Sequence, residues 1–245
     1  MTNLVLHCGA RSVQRQAIEI AATHAGSPTW VPVPHHRLLE QVESTLITSG
    51  MTVVNQAHAL WQDGLRYFGL LEVTNGQAHA DYGLVIGLRN SHDKSFPAAI
   101  ALGSAVVVCD NLAFSAEVTI ARRHTRFIER DLPRVVHTAV GRLADMRGQQ
   151  DKRIDTYKES ELSDPIAHDL IIRAVDARVL PVTQVPAVLE QWRTPSHKEF
   201  AADGKTVWRF HNAMTHVWKG RNLAALPHRS QALHGLLDSV CGLAV

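Results

Sequence analysis

The feature that most constrains the fold is a series of three strand-like segments, residues 51–60, 65–74 and 81–90, separated by short polar connections. All three are rich in β-branched, aromatic and leucine residues bounded by turn formers, which is typical of strands. The first connection, WQDG, has hairpin length, and the second contains Asn75-Gly76, a dipeptide that suits tight hairpin turns. Hairpins join antiparallel neighbours, so the sequence predicts an antiparallel meander.

The same pattern continues downstream. Two more strands are predicted over 105–110 and 116–122, and a short helix over 96–103 is predicted after Ser95. We expect the valines at 106, 107 and 108 to lie in a mostly buried strand. Because polar residues cluster at the predicted strand ends, His92 and Asp110 should lie at the same end of the sheet.

Helical periodicity surrounds this sheet. Helices are predicted over 11–25 and 35–49, and another begins at Asp131, which is a suitable N-cap with a proline soon after it. From there on the chain has a helical pattern to its end. The sequence therefore predicts an α+β fold, with an antiparallel sheet, helices packed on it and a helical C-terminal third. We divide it into an α+β core domain, residues 1–150, and a helical region, residues 151–245, packed on the core.

Composition limits the function classes. The formal net charge is only +2, so any interaction with nucleic acid must depend on local clusters of charge. Three widely spaced cysteines without a CxxC pair argue against a disulfide framework and favour a reducing cytoplasm. No segment approaches the roughly 20 apolar residues that cross a bilayer. We expect a cytoplasmic protein without a membrane partner.

Arginines are clustered after the predicted sheet. Arg122, Arg126, Arg130 and Arg134 are spaced four apart, which would align them on one face if this region were helical; alternatively, a strand end leads into a helix here. Arginine is well suited to forked contacts with phosphate, whereas the other interpretation is a solvated surface. The leading hypothesis is a nucleic-acid-binding protein, and its more specific form is a protein that binds or anneals single strands. Its candidate contact residues are Arg89, His92, Lys94, Arg122, Arg123, Arg126 and Arg130.

A second hypothesis is a metal-dependent hydrolase or nuclease. Its candidate ligands are His92, Asp93, Asp110 and His124, since imidazole and carboxylate groups suit zinc or iron. Their spacing matches no known metal motif, and both aspartates could instead cap a helix or close a turn. No cofactor is favoured, although a divalent metal is possible. A third hypothesis is a host-interaction or scaffold protein without chemistry, and any of the three could form a homo-oligomer.

Several short motifs resemble those of phage/plasmid-like proteins grouped as a domain of unknown function. These motifs are an Arg-x-Ser-His-Asp turn, a glycine before a valine-rich strand, a Cys-x-Asn turn and a late Asn-Ala-x-Thr helix. They correspond here to Arg89, Ser91, His92, Asp93, Gly103, Cys109, Asn111, Asn212, Ala213 and Thr215. The resemblance covers about residues 30 to 220. It implies a role near DNA in mobile elements but no particular chemistry. The element order is also similar to that of phage single-strand-annealing proteins, which is an analogy of fold alone.

Overall fold

A computed structural model of the chain describes residues 11–76, 82–106, 111–202, 204–218 and 226–243. These residues form one six-stranded antiparallel sheet with packed helices, and the C-terminal part is helical, which confirms the predicted α+β fold. The strands are β1 (Arg11–Val13), β2 (Thr52–Trp61), β3 (Arg66–Thr74), β4 (Tyr82–Ser91), β5 (Ala98–Val106) and β6 (Asn111–Arg122).

Two helices lie between β1 and β2 in the chain, and the others follow β6. They are α1 (Arg15–Glu19), α2 (His35–Thr48), α3 (Ile128–Gly141), α4 (Leu143–Glu159), α5 (Asp164–Asp176), α6 (Val185–Arg193), α7 (Lys198–Ala202), α8 (Val207–His216) and α9 (Leu226–Val240). A 3-10 turn, Val182–Gln184, precedes α6. α4 crosses the boundary at residue 150, and the division into two domains stays a prediction. In the part of the chain that the structure describes, no helix is both long and apolar enough to cross a membrane.

The strands lie in the sheet in the order of the sequence, so the predicted meander is confirmed. The predicted helix over 96–103 is wrong, because residues Ala98–Val106 form β5 and pair with both β4 and β6. Alanine favours helices, but here the larger residues Ile100 and Leu102 alternate with small ones and fill the core from one side. Tertiary packing has overridden local propensity.

Two helix starts also differ from the prediction. The segment 11–25 contains only the short α1, and its first residues form strand β1 instead. Asp131 does not cap α3, which begins at Ile128. Asp131 lies in the first turn of the helix and is buried, and its carboxylate accepts hydrogen bonds from arginines. The predictions for Val107, Val108 and Asp110 fall outside the described residues.

One face of the sheet, which we call the covered face, packs against helices. The His35 ring of α2 lies 5.6 Å from the Tyr67 ring of β3. Gln150 of α4 donates a hydrogen bond to Ser104 of β5 at 3.4 Å. The buried apolar residues of this face are Leu60, Tyr67, Leu71, Val73, Leu84, Ile86, Leu88, Ala98, Ile100 and Leu102.

The opposite face, which we call the alanine-rich face, carries the alternate residues of the same strands. The register aligns Ala59, Phe68, Arg89, Ala99 and Ala121 in one row and Ala57, Leu70, Gly87, Ala101 and Thr119 in the next. Most of these residues are small, so the few large side chains are conspicuous. Phe68 and Arg89 are half-buried, and Ala121 is exposed.

Glycine at position 69 is required by close packing on the covered face. A Cβ there would lie 2.3 Å from the hydroxyl of Tyr67, which is fully buried and cannot move away. We therefore expect Gly69→Ala to lower the free energy of unfolding by about 1–3 kcal/mol in urea denaturation, the usual cost of overpacking. Gly141→Ala is the matched control: Gly141 ends α3 with no atom within 4 Å of a new Cβ. That change should be neutral or stabilise by up to about 1 kcal/mol. Equal effects of the two substitutions would contradict this packing account.

Candidate nucleic-acid interface

A guanidinium and two aromatic rings meet on the alanine-rich face. Arg89 of β4 lies in register with Phe68 of β3. Phe96, in the turn before β5, contacts both: its ring centroid lies 5.5 Å from the Arg89 Cζ and 5.5 Å from the Phe68 ring centroid. We call Phe68, Arg89 and Phe96 the cation–aromatic cluster. Arg89 was a candidate from the sequence, whereas the two phenylalanines were not.

Arg89 has no ion-pair partner among the side chains that the structure describes. Among the described residues, no carboxylate and no hydrogen-bond acceptor pairs with its guanidinium, which is half-buried. Burial lowers the pKa of the Arg89 guanidinium from its usual value, because removal from water disfavours the charged form. A partly desolvated cation without an internal counterion favours an external anion.

The neighbours of the cluster in the sheet are small residues. Arg89 is followed in its row by Ala99 and Ala121, and the neighbouring row continues with Gly87 and Ala101. None of these side chains extends beyond a methyl group. The large groups of the cluster therefore stand beside small residues, of which Ala99 is buried and Ala121 is exposed.

A second ring–guanidinium pair lies one row further toward the end of the sheet. The Arg66 Cζ is 4.7 Å from the ring centroid of Trp61, whose exposed fraction is 40%. Arg66 also donates to Asp93 at 2.6 Å, and the backbone N–H of Ser95 donates to the same carboxylate at 3.0 Å. Although partial burial acts in the opposite direction, these contacts lower the pKa of Asp93 to about 2. Asp93 therefore stays ionised as the partner of Arg66.

The arginine series does not form one helical face, so that version of the hypothesis is wrong. Arg122 ends β6 and α3 begins at Ile128, which confirms the alternative of a strand end leading into a helix. Arg122 and Arg130 both donate to Asp131 and lower the pKa of its carboxyl group. These two arginines therefore have an internal role in addition to any external one.

Arg123 and Arg126 are exposed, and among the described residues neither pairs with a carboxylate. Arg123 follows β6, and because side chains alternate along extended backbone it continues the side of Ala121. Arg126 and Arg130 both contact the ring of Phe127, each with its Cζ 4.6 Å from the centroid. Arg123 and Arg126 thus add free positive charge beside the sheet end.

Lys94 and His92 differ in their exposure to solvent. Lys94 is exposed in the turn after β4, with its Nζ 4.9 Å from the ring centroid of Trp30, so it remains available to a ligand. His92 is buried, and its Nε2 lies 2.8 Å from the carbonyl oxygen of Val33. The ring of His92 is thus enclosed by the protein, which argues against an external contact, and its role with nucleic acid stays a prediction.

Val33 is the centre of a buried polar cluster that also contains His35 and His124. Asn90 donates to the Val33 carbonyl at 2.7 Å, and the Val33 N–H donates to His124 Nδ1 at 3.3 Å. Asn90 also donates to His35 Nδ1 at 2.9 Å, while His35 Nε2 contacts the carbonyl oxygen of Gly64 at 2.9 Å. The His35 and His92 rings stack with centroids 4.0 Å apart.

These contacts bear on the metal hypothesis. The structure brings His92 and His124 together on Val33, whose backbone contacts His92 Nε2 and His124 Nδ1, and Asp93 is paired with Arg66. His124 Nε2 is buried without a hydrogen-bond partner among the described residues. Asp110 lies outside the described residues. Within the described ranges, no group of three or more histidine, cysteine, aspartate or glutamate side chains could hold a metal ion. A divalent metal stays an untested alternative.

The molecule described so far is an α+β protein whose sheet has one helix-covered face and one face with a cation–aromatic cluster. A family model described as a domain of unknown function, DUF932, matches residues 23–234. The chain therefore belongs to the DUF932 family, which confirms the predicted resemblance to a domain of unknown function. No curated protein and no solved structure is significantly similar to the chain.

Because His35 is buried, we expect the folded protein to lose stability in acid. Burial first, and then the neighbouring His92, lowers the pKa of His35 from 6.5 to about 3. Above pH 6.5 the ring is neutral in both the folded and the unfolded chain. Below it, the unfolded chain binds a proton that the folded chain excludes, so stability falls until about pH 3.

We expect His35→Gln to flatten the pH dependence of the unfolding free energy between about pH 7.5 and about pH 5. The wild type should lose about 1 to 2 kcal/mol more than the variant over this interval. Urea denaturation at several pH values measures the difference. His137→Gln, at an exposed position of α3, is the control and should keep the wild-type slope. A wild-type slope in His35→Gln would show that His35 titrates normally.

Proposed function

We propose that this DUF932 protein is a cytoplasmic nucleic-acid-binding protein, of the kind that serves mobile elements such as phages and plasmids. Its ligand would lie on the alanine-rich face and extend toward the free arginines beyond β6. The observation that carries the proposal is the half-buried guanidinium of Arg89, which is flanked by two aromatic rings and has no carboxylate partner among the described residues.

The distribution of charge supports a phosphate-bearing polymer over a single small anion. Arg89, Arg123, Arg126 and Lys94 lie at or around one end of the sheet, each without a carboxylate partner in the described part of the chain. Arginine binds phosphate oxygens with its planar fork of donors. A polymer with one phosphate per nucleotide can contact several such groups at once.

The small net charge of +2 makes this proposal testable by salt. A highly basic protein binds nucleic acid over its whole surface, whereas here only local contacts can contribute. Each phosphate contact gives a slope of about −0.7 on single strands, or about −0.9 on duplex, in a plot of log affinity against log salt. Three arginine contacts on a single strand would give a slope of about −2.

The test is a salt-titrated binding assay with single- and double-stranded DNA and RNA, using wild type and Arg89→Ala/Arg123→Ala/Arg126→Ala. The triple variant should bind all sequences more weakly, and its salt slope on single strands should fall to about −0.7, because only the Lys94 contact remains. Arg122 and Arg130 are left unchanged because both bind the buried Asp131. Their replacement would confuse folding with binding.

A charge-matched control is Arg37→Ala/Arg173→Ala/Arg193→Ala, which removes three exposed arginines from helices away from the alanine-rich face. It should retain the wild-type affinity and slope. Equal losses in both triple variants would mean non-specific attraction and would contradict the proposal. A wild type that binds no nucleic acid at low salt would favour the scaffold hypothesis instead.

A further inference from the structure

We infer that the alanine-rich face binds unpaired nucleotides in preference to duplex, with Phe68 and Phe96 as base-stacking residues. This inference rests on the proposed function and names the form of nucleic acid that the same surface takes. The rings were absent from the sequence-based candidates and become functional candidates only through their contact with Arg89.

The first argument is the chemistry of the cluster. Phe68 and Phe96 are both half-buried, so each retains accessible ring surface, and Arg89 places a planar cation between strand and turn. Every nucleobase has a π-face that stacks on aromatic rings and guanidinium planes, whatever its sequence. In a duplex these faces are stacked on one another and are not available.

The second argument is the position of Arg89 within the sheet. It lies in a central strand, in register with Phe68 on one side and Ala99 on the other. Duplex bases are read through the grooves by elements that protrude, such as a helix or a β-ribbon. A half-buried side chain in the middle of a six-stranded sheet cannot enter a groove, but a flexible single strand can lie across the sheet.

The third argument is that the pairing of ring and cation is repeated. Trp61 and Arg66 form a second pair with a 4.7 Å separation. Arg66 precedes Phe68 by two residues on the same face of β3, a distance of about 7 Å along the strand. Two stacking positions in succession can hold neighbouring bases, and the row of Arg89 continues through Ala99 to the exposed Ala121, two residues before Arg123.

The experiment measures the affinity of fluorescein-labelled oligothymidylate and of a duplex of equal length by anisotropy. The variants are Phe68→Leu and Phe96→Leu, which keep an apolar side chain and remove the ring. We expect the wild type to prefer the single strand. Loss of one stacking ring should weaken single-strand binding about tenfold, within the range of about 5- to 150-fold measured for stacking. Duplex binding should change less than twofold.

Phe127→Leu is the matched control, because Phe127 is an exposed ring between two arginines outside the sheet. It should leave the preference for single strands unchanged. If either cluster variant unfolds, Phe96→Trp replaces it: this substitution keeps a ring and should retain wild-type affinity. A loss in Phe127→Leu equal to that in Phe96→Leu would overturn the assignment of stacking to the sheet.

Photocrosslinking gives an independent readout of position. Single strands that contain 5-iodouracil should crosslink to peptides with Phe68 or Phe96, and crosslinks only to α3 would overturn the inference. Wild-type protein that binds duplex as tightly as single strand would also overturn it, while leaving the proposed function intact. Absence of binding to both forms at low salt would instead reject the proposed function itself.

Discussion

The backbone of Val33 is the point on which the arrangement of the sheet end depends. Asn90 and His92 contact its carbonyl oxygen and its N–H donates to His124, so residues from the end of β4 and from just beyond β6 bind one extended segment. Buried polar groups are stable only when they are paired, and such networks fix a unique geometry. The segment thereby leads into α2, which packs on the covered face.

Side chains alternate along β4, so neighbouring residues of one short motif lie on opposite faces of the sheet. Asn90 points to the covered face and helps to hold Val33, whereas its neighbour Arg89 lies on the alanine-rich face beside Phe68 and Phe96. A shift of one residue in register would exchange the two roles. The Arg-x-Ser-His-Asp stretch therefore combines Arg89, the proposed ligand contact, with residues that hold the fold.

The sequence predicted the meander because turn chemistry and strand-like composition agreed over 51–90. It did not predict β5, since an alanine-rich segment satisfies helix propensity and only pairing with both neighbours makes it a strand. Arg89 was found as a basic residue in a motif. The aromatic rings beside it were not found, because Phe96 reaches Arg89 across a turn. Likewise, the contacts of His92 and His124 with the backbone of Val33 were not predicted, because Val33 is distant from both in the sequence.

The most direct test of this account is an NMR titration of protein carrying ¹³C-labelled alanine methyl groups with oligothymidylate. Ala99, Ala101 and Ala121 lie on the alanine-rich face, while Ala98 and Ala139 are buried on the helix side. The account predicts that the methyl signals of the first three shift on binding and that those of the other two stay in place. Shifts confined to alanines of the C-terminal helices, with the sheet methyls unchanged, would contradict it.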